Sequence, residues 1–222
     1  MKFKRVLGIL LSGLVVFNCG MVFADVSKGE KITYAISPIG RGEYSDLGLV
    51  DYQGKKLWLV NFLTRMPGFR DLEKIYADPQ TGFPLRVERY INWTFSKEFI
   101  IEEYDPQNNS LVTRRFLKDK LTNEYKYKSN GPYHNVILLP FYLRRVKDLN
   151  IGWSLVVRVP EEFTVTLKDV EKIKFNGKRI DAYHFTSEPN KFELWISKDE
   201  ELLPLIIKGA GGYRMLMRKH SS

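Results

Sequence analysis

The sequence has few cysteine and histidine residues. The chain of 222 residues has one cysteine, Cys19, and three histidines, His134, His184 and His220, which stand alone in sequence. A single cysteine excludes an intramolecular disulfide and a cysteine-rich zinc site. His184 lies between two aromatic residues in a strand pattern, where a packed or surface histidine is expected rather than a ligand.

Catalytic motifs are also missing. The sequence has no Gly-x-Ser-x-Gly elbow, no phosphate-binding loop with Gly-Lys-Ser/Thr and no His-Glu-x-x-His helix. The acidic pairs Glu102-Glu103 and Glu161-Glu162 are neighbours on predicted strands, so the two carboxylates of each pair point to opposite faces. We therefore predict no catalytic residue, no metal site and no cofactor, and we interpret the protein as not an enzyme.

Long apolar runs are confined to the first 24 residues. Val6–Phe17 is apolar but shorter than the roughly 20 residues that a membrane-spanning helix needs, and it follows a basic start. We predict a signal peptide over residues 1–24, cleaved after Ala24, and a periplasmic mature chain, residues 25–222, that does not span the membrane. An uncleaved anchor and a lipoprotein signal at Cys19 are the alternatives; the asparagine before the cysteine disfavours the second.

Blocks of like charge are absent as well. The net charge of +9 becomes +6 when the signal is removed, because the signal contains three basic and no acidic residues. Export and the even spread of basic side chains exclude nucleic acid as the expected partner. The excess positive charge suits an anionic membrane surface or an acidic lipid head group, or a basic surface without a partner.

Alternating apolar and polar residues dominate the chain from residue 29 onward, with turn signals every 8–12 residues. No linker or low-complexity tract divides it, which predicts a single β-rich domain. We expect a mainly β fold of about thirteen strands. They form one strongly curved antiparallel sheet or an open half-barrel, with one helix packed on its concave face.

The predicted helix interrupts the strand pattern between residues 133 and 152. Its apolar stripe has 3- and 4-residue steps and consists of Val136, Leu139, Leu143 and Val146. Pro140 is tolerated only in a first helical turn, which places the start of the helix shortly before it. Two other stretches read as turns: Asp78-Pro79 with the following glycine, and Asn176-Gly177 as a hairpin turn.

Large aromatic side chains recur along the predicted strands. They have two interpretations, an ordinary core or the lining of an apolar cavity with a few polar groups at its rim. Arg144, which follows two aromatic residues of the helix, either presents its guanidinium to an acidic head group or belongs to a solvated helix end. The candidate ligand-binding residues are Trp58, Phe62, Trp93, Phe141, Tyr142, Arg144 and Trp195.

Three stretches resemble an exported bacterial family, the domain of unknown function 3108 (DUF 3108). They are "YADPQTGFPLRVER", "PFYLRRVKDLNIGW" and "LWISKDEELLPLIIKGAGG". The residues that carry the resemblance are Gly29, Glu30, Tyr34, Tyr142, Arg144, Gly152, Trp195, Ser197, Asp199 and Pro204. The family has no established activity that the resemblance could imply for this chain.

The first of these hairpins also resembles one in periplasmic lipoprotein carrier and receptor proteins, which are open β-barrels around a hydrophobic cavity. Taken together, the patterns and resemblances predict an exported, non-catalytic envelope protein that binds a lipid, an acyl chain or another apolar ligand in a half-barrel cavity. The alternative is a structural or protein-interaction domain of an envelope assembly, with an envelope protein as its partner.

Overall fold

The computed structural model describes residues 29–209 and 212–221. The predicted signal peptide, its cleavage after Ala24 and Cys19 lie outside these residues. The described part contains fourteen β-strands and one short helix, α1, at Leu139–Leu143. The strands are Lys31–Ile36 (β1), Gly40–Tyr52 (β2), Lys55–Met66 (β3), Phe69–Ala77 (β4), Pro84–Trp93 (β5), Lys97–Asp105 (β6), Ser110–Leu117 (β7), Lys120–Lys128 (β8), Ser154–Arg158 (β9), Glu162–Phe175 (β10), Lys178–Glu188 (β11), Phe192–Ser197 (β12), Pro204–Gly209 (β13) and Arg214–Ser221 (β14).

All fourteen strands belong to one sheet whose neighbours are antiparallel. The spatial order is β8-β7-β6-β5-β4-β3-β2-β1-β14-β13-β12-β11-β10-β9. The chain therefore runs outward from β1 to one edge, crosses the sheet through residues 129–153, and returns from the other edge to pair β14 with β1. Within the described residues β8 and β9 are unpaired on their outer sides, so the sheet is open.

The sheet is strongly curved around α1. Phe62 on β3 and Phe163 on β10 line the same cavity as Phe141 on α1, although six strands separate β3 from β10 in the sheet order. Such distant strands can meet at one cavity only if the sheet bends toward the helix. The expected open half-barrel with a helix on its concave face is confirmed, with fourteen strands instead of about thirteen.

The concave face holds the core because the strands alternate. In β1 the side chains of Ile32, Tyr34 and Ile36 are buried while those between them are more exposed. The same alternation places Phe163, Val165 and the next inward residue of β10 in the core. At the edge, every residue of β8 is exposed. The edge strand β8 is therefore in contact with solvent on both of its faces.

Helix α1 is shorter than the predicted helix, and the local hydrogen bonds show why. The side-chain oxygen of Asn135 accepts the backbone N–H of Ile137 at 2.8 Å, which starts the helical segment immediately before α1. Pro140 lies in the first turn, as predicted. After α1 the N–H of Arg145 bonds the carbonyl of the residue three positions earlier, so the turns tighten and the α-helix ends. Val136, a member of the predicted stripe, precedes α1 and is exposed.

The predicted turns are confirmed by their hydrogen bonds. Asp78 Oδ1 accepts the backbone N–H groups of Gln80 at 2.9 Å and Thr81 at 2.7 Å. The carboxylate of Asp78 is thus used within its own turn. Asn176 and Gly177 have φ of 47° and 78°, which is the type I′ geometry that two-residue hairpins favour.

Candidate ligand cavity beneath the helical segment

Residues 133–143, hereafter the helical segment, cross the concave face and enclose a cavity against the sheet. Backbone and side-chain bonds hold the segment at its start. The N–H of His134 bonds the carbonyl of Arg158 at 2.8 Å, and the side-chain amide of Asn135 donates to Glu73 at 3.1 Å. Near its end, the ring of Phe141 stacks on Tyr44 with centroids 3.7 Å apart. The segment is therefore attached to the sheet on both sides of the cavity.

The first part of the cavity, hereafter the apolar compartment, has a volume of about 240 Å³. Its walls are almost entirely aliphatic and aromatic, and the ion pair of Lys191 with Glu161 lies at one side. The lining residues are Tyr34, Phe62, Val136, Ile137, Pro140, Phe141, Val159, Glu161, Phe163, Lys191, Phe192, Ile207, Tyr213 and Met215. Aromatic and aliphatic walls with few polar groups are typical of small-molecule sites.

The second part, hereafter the mixed compartment, has a volume of about 350 Å³ and adds charged groups to the lining. It shares five lining residues with the apolar compartment: Phe62, Val136, Ile137, Tyr213 and Met215. Because these side chains form walls of both, the two compartments adjoin beneath the helical segment. The side chains of Val136 and Tyr213 are 47% and 42% exposed, which places them at the opening.

Three charged side chains meet in the wall of the mixed compartment. Arg89 on β5 donates through Nη2 to Asp71 Oδ2, and its Nε lies 3.3 Å from Oε2 of Glu73. Asp71 and Glu73 are two residues apart on β4, so both point to the concave face, and Glu73 pairs directly with Arg89 in the sheet register. Among the described groups, Oδ1 of Asp71 is buried without a hydrogen-bond partner. Because Asp71 lines the mixed compartment, a small rotation of its side chain would present this oxygen to a hydrogen-bond donor of a ligand.

Burial shifts the proton affinity of this cluster. Desolvation raises the pKa of Glu73 to about 7, against the opposing effects of the Arg89 charge and the hydrogen bond from Asn135. Burial alone would lower the pKa of Arg89, but Glu73 and Asp71 outweigh it and raise the pKa above its usual value. The mixed compartment therefore combines a permanent cation with a carboxyl group, that of Glu73, which is half-protonated near neutral pH.

A separate polar cluster surrounds the end of the helical segment. Arg144 donates to Glu30 at 2.8 Å and to the carbonyl oxygen of Glu201 at 3.0 Å. Trp58 donates through Nε1 to Asp46 Oδ1 at 3.0 Å. The two bonds of Arg144, which follows the segment directly, join it to the residues just before β1 and β13 and use its guanidinium within the protein. The bond of Trp58 joins β3 to β2.

The structure brings two of the seven predicted ligand-binding residues together. Phe62 and Phe141 both line the apolar compartment. Trp58 and Arg144 belong to the polar cluster at the end of the segment, outside both compartments. Tyr142 lies on the other side of α1, with its ring 6.1 Å from His134.

The remaining two predicted residues line neither compartment. Trp93 is 52% exposed and packs against Phe69 at the β4–β5 hairpin, with ring centroids 4.5 Å apart. Trp195 lies on the outer face of the sheet, where its ring stacks on His184 at 4.3 Å. Aromatic content alone did not distinguish the concave face from the convex face.

The charged group in the mixed compartment was not predicted from the sequence. The acidic pairs singled out there are adjacent residues, whose side chains point to opposite faces of a strand. Asp71 and Glu73 are separated by one residue, the spacing that places both carboxylates on one face. The arginine opposite them, Arg89, follows from the register of the β4–β5 hairpin.

Comparisons with known proteins agree with the fold. A crystal structure described as a beta-barrel-like protein of domain of unknown function DUF1849, from Brucella abortus, matches with a TM-score of 0.53 and 10% sequence identity. The match covers 87% of this chain and 97% of that chain, and at this identity it shows the fold alone. No curated protein matches the chain. The family model described as "Protein of unknown function (DUF3108)" matches residues 31–218. This chain belongs to the DUF3108 family.

Proposed function

We propose that this protein is an exported, non-catalytic envelope protein that holds a single-chain amphiphile in the cavity beneath the helical segment. The observation that carries the proposal is the direct contact between the apolar compartment and the mixed compartment. An amphiphile requires that pairing, because its acyl chain needs apolar walls while its head group needs hydrogen-bond partners. The hairpin resemblance to periplasmic lipoprotein carriers supports the same function.

The dimensions fit a ligand that occupies both compartments. Small-molecule pockets usually have volumes of about 300–1,000 Å³. The apolar compartment, at about 240 Å³, is smaller than this range. The adjoining mixed compartment adds about 350 Å³ to the space that a ligand can occupy. The acyl chain would lie between Phe62 and Phe141, and the head group would lie toward Arg89.

The charges of the mixed compartment favour an uncharged head group. The guanidinium of Arg89 is already engaged by Asp71 and Glu73, so two carboxyl groups face one cation. At pH 8, above the pKa of Glu73, both acids are mostly ionised and would repel a carboxylate or phosphate head group. A hydroxyl or amide head group can instead donate to Oδ1 of Asp71. A long-chain monoacylglycerol has the required chemistry, and the matching fatty acid lacks it.

Displacement of an uncharged fluorescent probe, N-phenyl-1-naphthylamine, tests this proposal. We expect the monoacylglycerol to displace the probe with an affinity about tenfold higher than that of the fatty acid at pH 8, a difference of about 1.4 kcal/mol. Val136→Trp fills the opening from an exposed position and is expected to weaken displacement by about tenfold. Val156→Trp is the matched control, since Val156 is also exposed and lies outside the cavity lining.

Two results would overturn the proposal. One is the absence of saturable probe binding to the folded parent protein. The other is equal monoacylglycerol affinity in Val136→Trp, Val156→Trp and the parent, which would place binding elsewhere on the surface.

A second candidate function, an interaction domain of an envelope assembly, is favoured by the edge strand β8. Its outer edge is unpaired in the described chain, and Tyr125 and Tyr127 stack on its exposed face with ring centroids 6.4 Å apart. Such an edge can accept a strand from another protein. A stoichiometric partner recovered from solubilised envelope, and lost in Thr122→Pro, would support this function; its retention in that variant would exclude the edge.

A further inference from the structure

Three potential metal ligands converge on the convex face of the sheet, away from the cavity. Asp169 and Glu171 are two residues apart on β10, and His184 on β11 pairs with Asp169 in the register. A β-bulge at Lys168 precedes them, where the register shifts between Leu167 and Asp169. Bulges redirect neighbouring side chains. The two carboxylates and the imidazole therefore meet although 13 to 15 positions separate them in sequence.

The distances between the donor atoms match the coordination sphere of a small divalent cation. Nδ1 of His184 lies 3.2 Å from Oδ1 of Asp169 and 3.7 Å from Oε1 of Glu171. All three donor atoms lie within 4.8 Å of one another. Ligands bound at about 2.0–2.1 Å in a tetrahedral zinc site are about 3.3–3.4 Å apart. A cation between these atoms would therefore require only small side-chain movements.

His184 is buried without the hydrogen bonds that a buried imidazole normally makes. The residue is 8% exposed, and in the described chain neither of its ring nitrogens has a hydrogen-bond partner. Oδ1 of Asp169 is unpartnered in the same way. Buried polar atoms are rarely left without a partner. Nδ1 of His184 and Oδ1 of Asp169 face each other and both lack a hydrogen bond, which indicates that a further group binds both atoms.

Neighbouring side chains hold the potential ligands in place. The ring of Trp195 stacks on His184 with an interplanar angle of 9°, which fixes the plane of the imidazole. Trp195 Nε1 also donates to Oε1 of Glu171. Oε2 of Glu193 lies 4.0 Å from Nε2 of His184, on the side of the ring opposite Nδ1. Ring stacking and a hydrogen bond to a carboxylate are contacts that orient the ligands of metal sites.

We propose that Asp169, Glu171 and His184 form a binding site for a divalent transition-metal cation of the zinc class. One imidazole and two carboxylates are ligand types that zinc accepts, and three protein ligands leave a fourth position open to water. The side chains of Asp169 and Glu171 are 42% and 43% exposed, so a cation reaches them from solvent. The bound cation would join β10 to β11 across the bulge.

Titration of the full-length, untagged protein with Zn²⁺ in metal-free buffer tests this site. Calorimetry is expected to show one saturable site per chain. Thermal unfolding at a free Zn²⁺ concentration of 100 times Kd is expected to shift upward by about 5–10 °C. The absence of saturable binding to the folded protein would overturn the proposal.

Variants locate the site and separate it from non-specific binding. His184→Phe keeps a ring against Trp195 but removes both ring nitrogens. Asp169→Asn removes one carboxylate from a half-exposed position. We expect each variant to weaken Zn²⁺ binding by about tenfold or more. Asp181→Asn is the control, because Asp181 is an exposed acid on the same strand as His184. If His184→Phe does not fold, Asp169→Asn decides. Unchanged Zn²⁺ affinity in the folded ligand variants would refute the site.

Discussion

Replacing Glu73 by glutamine is expected to change how the free energy of unfolding depends on pH. Burial raises the pKa of Glu73 to about 7, although Arg89 and Asn135 act in the opposite direction and Glu102 and Asp71 add to the increase. The folded protein therefore holds this proton more tightly than the unfolded chain does. The contribution of this proton to the unfolding free energy is fully present below the unfolded pKa, about 4.5, and is lost as the pH rises through about 7. Glutamine keeps the shape of the protonated form and removes the titration.

The size of the effect follows from the two pKa values. The difference between about 7 in the folded protein and about 4.5 for an ordinary glutamate corresponds to about 3 kcal/mol. The side chain of Glu73 is 12% exposed, so screening by solvent reduces this amount only in part. We therefore expect the unfolding free energy of Glu73→Gln, relative to that of the parent, to increase by up to about 3 kcal/mol between pH 4 and pH 8.

His134 gives the opposite dependence over nearly the same pH range. Burial and the positive charge of Arg158 lower the pKa of His134 to about 4. Stability from the neutral imidazole is present above the unfolded pKa, near 6.5, and is lost as the pH falls through about 4. In the parent, the increase in unfolding free energy with pH that His134 causes and the decrease that Glu73 causes largely offset each other. In Glu73→Gln the contribution of Glu73 is absent, so we expect the unfolding free energy to increase with pH as His134 loses its proton.

Urea unfolding followed by circular dichroism between pH 4 and pH 8 measures these changes. Glu200→Gln, at an exposed turn position, controls for the loss of one negative charge. Parallel pH profiles for Glu73→Gln and the parent would refute the conclusion that burial raises the pKa of Glu73.

Three substitutions test the packing and the turns by their unfolding free energies. Trp58→Phe leaves Asp46 without its hydrogen bond from the indole and is expected to cost about 1–3 kcal/mol; a smaller loss would mean that water replaces the indole. Phe141→Ala removes a buried ring stacked on Tyr44 and is expected to cost about 3–5 kcal/mol, whereas a loss below 1 kcal/mol would contradict the packing of the helical segment. Gly177→Ala forces a side chain into a left-handed turn and is expected to cost about 1–2 kcal/mol; no loss would contradict the type I′ hairpin.

The strands and turns could be predicted from sequence because their causes are local. Alternation along β1 buries every second side chain, and any neighbouring sheet face preserves that pattern. Asp78 bonds amides two and three residues ahead, and Gly177 follows Asn176 directly. The helix was located correctly at Pro140, but its length was not, since the bonds that end it depend on where the chain leaves the concave face.

The cavity and the metal-ligand cluster depend on contacts between distant strands. The five lining residues that the two compartments share come from β3, the helical segment and the β13–β14 region, and sheet curvature brings them together. Sequence alone determined that this chain forms a curved, mainly antiparallel β domain with one helix, because the periodicity of polar and apolar side chains is a property of neighbouring residues. Only the tertiary structure decided that Phe62 and Phe141 face one cavity while Trp195 faces outward. The physical reason is that the face a strand buries is set by its register and by the bend of the whole sheet.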